Sequence, residues 1–237
     1  AEGRFTEAQR RAARATRRSL VGTELLVESD EEITVRNLLD AADVSIPQTV
    51  VQLHFLARSI HREATAAFVR GDGEVRHRVR DRVEEADRLL AMVTRHVDRA
   101  LVSFAELDDL GASRSALFDY YATAHELAHV AEVGASIARL SEDVSGPLPD
   151  REAAAFERAA EAARDAVDGA TSAVQETTGP TAAHDAREEC DAVQDTVDSI
   201  TDRLVDDSPD AVPFGRGVAA LRRTADHGAT IADVALR

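Results

Sequence analysis

Apolar residues recur every three or four positions over most of the chain, and glycine or proline interrupts the pattern at a few points. The first long run opens at Ser45-Ile46-Pro47-Gln48, a capping box with proline in the first turn. Leu53, Leu56, Ile60, Ala64 and Phe68 then form one stripe, which Arg70-Gly71-Asp72-Gly73 breaks. Val75, Val79, Val83, Ala86, Leu90, Val93, Val97 and Leu101 predict a second helix. A loop around 108–113 leads to a third, carrying Leu117, Tyr121, Ala124, Leu127, Ala131, Ala135 and Ala138. Ser145-Gly146-Pro147-Leu148-Pro149 marks a boundary. Beyond it three more stripes follow: Phe156 to Val174, ending at Thr178-Gly179-Pro180; Ala186 to Leu204; and Phe214 to Gly228.

The second set of helices repeats the first. Leu127, Ala131, Gly134, Ala135, Ile137 and Ala138 fall without gaps on Leu221, Ala225, Gly228, Ala229, Ile231 and Ala232. Glu132 matches Asp226, and Ser136 matches Thr230. Helix-forming composition does not by itself place glycine at the same register, so the pattern predicts a duplicated three-helix unit. The expected fold is all-α, with two tandem three-helix repeats forming antiparallel bundles. A first segment, 1–40, precedes repeats at 41–146 and 147–237. In it Thr6-Glu7-Ala8-Gln9 caps a short Arg-rich helix, and Leu25, Val27, Ile33 and Val35 alternate with polar neighbours as in a hairpin.

Composition narrows the picture. Aromatic residues are 4% of the 237 and Trp is absent, so Ala, Val and Leu must fill the core, which suits close helix packing. The net charge is −16, and all 28 basic residues are Arg. A Lys-free acidic surface fits a halophilic archaeal source, where salt screens self-repulsion. It disfavours a broad nucleic-acid surface on this chain. One cysteine excludes an internal disulfide and suits a cytoplasmic protein. No apolar run approaches the roughly 20 residues of a membrane span.

Several segments together resemble the PhoU family, in particular its archaeal branch with an AbrB-like DNA-binding domain ahead of the repeats. Leu20 to Glu28 and Ile33 to Asp40 look like that branch's connecting region. Glu84-Glu85-Ala86-Asp87-Arg88-Leu89 is similar to the family's acidic stretch on the second helix. Leu221-Arg222-Arg223-Thr224-Ala225-Asp226-His227 resembles its third-helix pattern. The resemblance implies a regulator of phosphate uptake that contacts a phosphate ABC transporter ATPase or an associated regulator and pairs as a homodimer. It implies no catalysis, and nucleic acid only through an upstream domain, which would make a transcription regulator the alternative. It also implies a divalent metal or iron held by acidic residues, here Asp87, Glu132 and Asp226. The family's preceding Glu is replaced by Ala128 in one repeat and Arg222 in the other.

A second chemistry competes. His125-Glu126-Leu127-Ala128-His129 satisfies the H-E-x-x-H zinc pattern. Histidines at i and i+4 share a helix face, Glu126 would be the general base of a metallohydrolase, and Glu132 a third ligand. The alternative zinc set is thus His125, His129 and Glu132. Against it, the duplicated unit has Ala219 and Arg223 at the histidine positions, so plain helix-face histidines are the blander reading. Asp226-His227 is a further ligand pair. Arg10, Arg11, Arg14, Arg17 and Arg18 form a basic stretch, read as a solvated helix face, and Cys190 sits on an apolar stripe as a core thiol.

Overall fold

The computed structural model describes residues 6, 8–9, 23–28, 33–37, 45–175, 180–202 and 210–237. The Arg-rich stretch from Arg10 to Arg18, residues 29–32 where the sequence predicts a turn, and Leu204 lie outside them. Thr6 and Gln9 do make the expected capping box: the Thr6 amide donates to Gln9 Oε1 at 2.8 Å and the Gln9 amide to Thr6 Oγ1 at 3.3 Å.

Strands β1 (Thr23–Glu28) and β2 (Ile33–Asn37) pair antiparallel, with Leu25 opposite Val35 and an irregularity between Leu25 and Val27. The other elements among the described residues are helices: α1 (Ile46–Arg70), α2 (Val75–Val102), α3 (Phe104–Leu110), α4 (Arg114–Leu140), α5 (Asp150–Gln175), α6 (Pro180–Thr201) and α7 (Ala211–Ala235). Ser45 caps α1 by accepting from the Gln48 amide. Gly71 ends α1 with φ 64°, a left-handed conformation in which its N–H returns to Ala67 and Phe68 carbonyls.

Helices α1, α2 and α4 pack on one another, as do α5, α6 and α7. The chain is thus two tandem three-helix bundles, joined where α1 meets α5 and α4 meets α7. Phe68 of α1, Phe156 of α5 and Phe214 of α7 pack at the junction with tilted rings, centroids 4.9 and 6.0 Å apart. The loop after α4 is tied back, since the Leu148 amide donates to the Val69 carbonyl at 2.9 Å.

The matched glycines explain the duplicated register. A Cβ on Gly134 would stand 2.8 Å from Ile60 Cγ2 and 3.2 Å from the His61 backbone nitrogen; one on Gly228 would meet Cys190 Sγ at 3.0 Å. Each lets the third helix of its bundle approach a neighbour closely. Cys190 is fully buried there, and burial pushes its thiol up to about 12, so it is an inert core group.

Two expectations fail at the end of α2. Leu101 is 63% exposed rather than part of the stripe, and the span before Gly111 is a helix, α3, rather than loop. Glu106 of α3 turns inward to His96 of α2 at 2.9 Å and Arg99 at 2.7 Å. This contact of a buried glutamate with α2, which periodicity cannot register, holds α3 against α2.

Candidate functional site

The third helices of the two bundles, α4 and α7, face each other across the junction, and their ionisable residues meet there. His227 of α7 donates its Nδ1–H to Glu126 Oε2 of α4 at 2.7 Å. His129, one turn beyond Glu126, places Nδ1 3.9 Å from the same oxygen, outside hydrogen-bond reach. Its Nδ1 is shielded from solvent and has no hydrogen-bond partner, although the ring as a whole is 45% exposed. The His129 and His227 rings lie 5.1 Å apart. Glu126 and His227 side chains are 20% and 24% exposed, a half-open setting at the protein surface. The hydrogen bond from His227 holds the Glu126 carboxyl below its usual range; burial opposes this, and the nearby His227, His129 and His125 reinforce it.

Among the described residues, Glu126, His129 and His227 form the one group of three whose ligand atoms all lie within 4.8 Å of one another. The sequence-predicted sets are distributed differently. His125 stands edge-on against the Tyr121 ring, centroids 4.6 Å apart, and 6.3 Å from the His129 ring. Glu132 lines a shallow groove with Arg76, Arg80 and Arg139. Hence His125, His129 and Glu132 do not converge, and Glu126, the would-be general base, is already bound to His227. The residues of α4 that lie beside His227 are Glu126 and His129, at i and i+3.

The acidic set is also divided. Asp87 of α2 lies near Glu132 of α4; burial raises its pKa, Glu132 and Glu84 add to the rise, and Arg88 opposes it. Asp226 instead accepts from Gln194 Nε2 of α6 at 2.8 Å. At the second repeat's substituted position, Arg222 is ion-paired with Asp198. Asp87, Glu132 and Asp226 therefore supply no common three-atom site.

Sequence reasoning missed the polar contacts of the α1–α5 junction. Asp168 of α5 accepts from His54 at 2.6 Å and from Arg58 Nε at 2.5 Å. Burial alone would raise the Asp168 pKa, but these two partners outweigh it and lower it. Deeper in, His61 Nε2 bonds Thr224 Oγ1 of α7 at 3.0 Å, and Arg164 of α5 approaches His61 Nδ1 at 3.4 Å. These partners lie more than 100 residues away in sequence, so no local pattern marks them.

No protein-family model matches the sequence, and no curated protein sequence matches it significantly. Solved structures do. The phosphate transport system regulatory protein PhoU from Streptococcus pneumoniae superposes with a TM-score of 0.67 at 13% identity, over 81% of this chain and 91% of that one. The fold is that of PhoU proteins. PhoU from Pseudomonas aeruginosa gives a TM-score of 0.60 at 14% identity, over 81% and 93%. At such identities the likeness establishes the PhoU-like architecture and leaves the chemistry to this chain's own residues. No described helix is long and apolar enough to cross a membrane.

Proposed function

We propose that this protein is a regulator of phosphate uptake that acts by contact with a phosphate ABC transporter ATPase or an associated regulator, not by catalysis. The observation that carries the proposal is the extent of the structural likeness. The superposition takes in 81% of this chain and 91% of a phosphate transport system regulatory protein. A partner bound preferentially to one conformation of a transporter biases that transporter's equilibrium, which is regulation without chemistry. An apolar corner at the end of α2, where Leu101, Val102 and Phe104 are 63%, 87% and 72% exposed, supports action by contact. In this reading 41–146 and 147–237 are the two repeats, 1–40 is the tail of an upstream module of the archaeal AbrB–PhoU type, and two copies pair.

The test is deletion of the gene in its source organism, with transporter transcript and phosphate uptake measured in phosphate-rich medium. Both should rise, and the intact gene should restore repression. Unchanged transcript and uptake in the deletion strain would refute the proposal.

A further inference from the structure

We propose that Glu126, His129 and His227 form a mononuclear zinc-type metal site that bridges the two bundles. The donor set is two imidazole nitrogens and one carboxylate oxygen, which suits a borderline divalent ion such as zinc or cobalt rather than magnesium or calcium. With metal–ligand distances near 2.0–2.1 Å, tetrahedral ligand atoms stand about 3.3 Å apart. Here Glu126 Oε2 lies 2.7 Å from His227 Nδ1 and 3.9 Å from His129 Nδ1, either side of that separation. Seating the ion requires each separation to change by about 0.6 Å.

A second observation points to a ligand. His129 Nδ1 is buried against the cluster and satisfied by nothing in the protein. A polar atom so placed loses its hydration without a replacement partner, and a metal ion supplies one. Metal entry displaces the proton that His227 Nδ1 shares with Glu126; the neutral ring takes its other tautomer, with the N–H on Nε2. Three protein ligands leave a fourth position for water or a small anion.

The site occurs once per chain. The equivalents of Glu126 and His129 in the second repeat are Ala220 and Arg223, and the equivalent of His227 in the first is Val133. It also differs from the acidic positions Glu132 and Asp226, which face elsewhere. Its ligands come from α4 and α7, so the ion would fasten one bundle to the other. The site stands whether or not the phosphate reading does.

The experiment is a titration of the purified metal-free protein with Co2+, followed by visible absorption, with Zn2+ competition and thermal unfolding in parallel. The wild type should bind one equivalent with the intense bands of tetrahedral cobalt, and the metal should raise its Tm. His129→Ala and His227→Ala should each weaken binding by at least about 100-fold, more than loss of a supporting group does. His125→Ala, Glu132→Gln and Asp226→Asn should leave binding unchanged. Far-ultraviolet circular dichroism checks the fold of each variant, and His227→Gln replaces His227→Ala if that variant is misfolded. Absence of tetrahedral cobalt in the wild type overturns the proposal. So does binding that survives loss of His227 but falls with His125, which would put the metal on α4 alone.

Discussion

His61 gives the sharpest quantitative prediction. Its imidazole is wholly buried between α1, α5 and α7. Thr224 donates its hydroxyl to the Ala220 carbonyl, so its oxygen must accept from His61 Nε2–H. His61 Nδ1 then carries no proton and faces the Arg164 guanidinium. Burial, with Arg164 adding to it, drives the His61 pKa down from 6.5 to about 3. The sign follows from linkage. Below pH 6.5 the unfolded chain takes up a proton that the folded chain refuses, so stability falls as pH falls through the interval from 6.5 to about 3. One proton is worth about 1.4 kcal/mol per pH unit, which makes the loss between pH 7 and pH 5 about 2 kcal/mol. The assay is urea unfolding at constant ionic strength and at several pH values in that range, comparing the wild type with His61→Gln. Glutamine retains a donor and an acceptor but does not titrate, so the variant should lose about 2 kcal/mol less than the wild type over the same interval. Equal pH slopes in the two proteins would refute the buried neutral imidazole.

Three further outcomes are expected. Gly134→Ala should destabilise by about 1–3 kcal/mol in thermal or urea unfolding, because the His61 backbone beside its Cβ cannot yield. Gly228→Ala should cost less, since its closest neighbours are the side chains of Cys190 and Val167, and a gain of about 1 kcal/mol in helix propensity offsets them. Asp168→Asn should cost about 1–3 kcal/mol at neutral pH by weakening the bonds to His54 and Arg58. Because the folded pKa of Asp168 is lowered, its contribution is present above the usual carboxylate value and vanishes as pH falls through the lower one. The difference between wild type and variant should therefore shrink only in acid, from the ordinary carboxylate value of 3.8 downward.

The bundles were legible because burial on one side of a helix writes a 3.6-residue period into the chain. Ser45 and Gly71 mark the ends of α1 as their capping chemistry predicts, and Gly134 and Gly228 reveal the repeat through a steric need common to both bundles. Periodicity tells which face is covered but not by what. Hence the inward turn of Glu106, the contact of His61 with Thr224 and the meeting of Glu126 with His227 had no sequence signature. His125 and His129 drew attention through a familiar spacing, yet a rotation of one helix position separates a shared face from a shared target. The replacement of acids by Ala128 and Arg222 was visible, whereas the Asp198 partner that makes Arg222 comfortable was not.

The contacts of His61 bear on how the molecule comes apart. In solenoids each repeat leans only on its neighbour, and ends can fray while the middle persists. Here a side chain from the first bundle lies wholly buried against both α5 and α7 of the second. Opening either bundle alone would strand an imidazole, a hydroxyl and a guanidinium in a half-dismantled interface. A single calorimetric transition, rather than one for each unit, is the outcome expected from this shared contact.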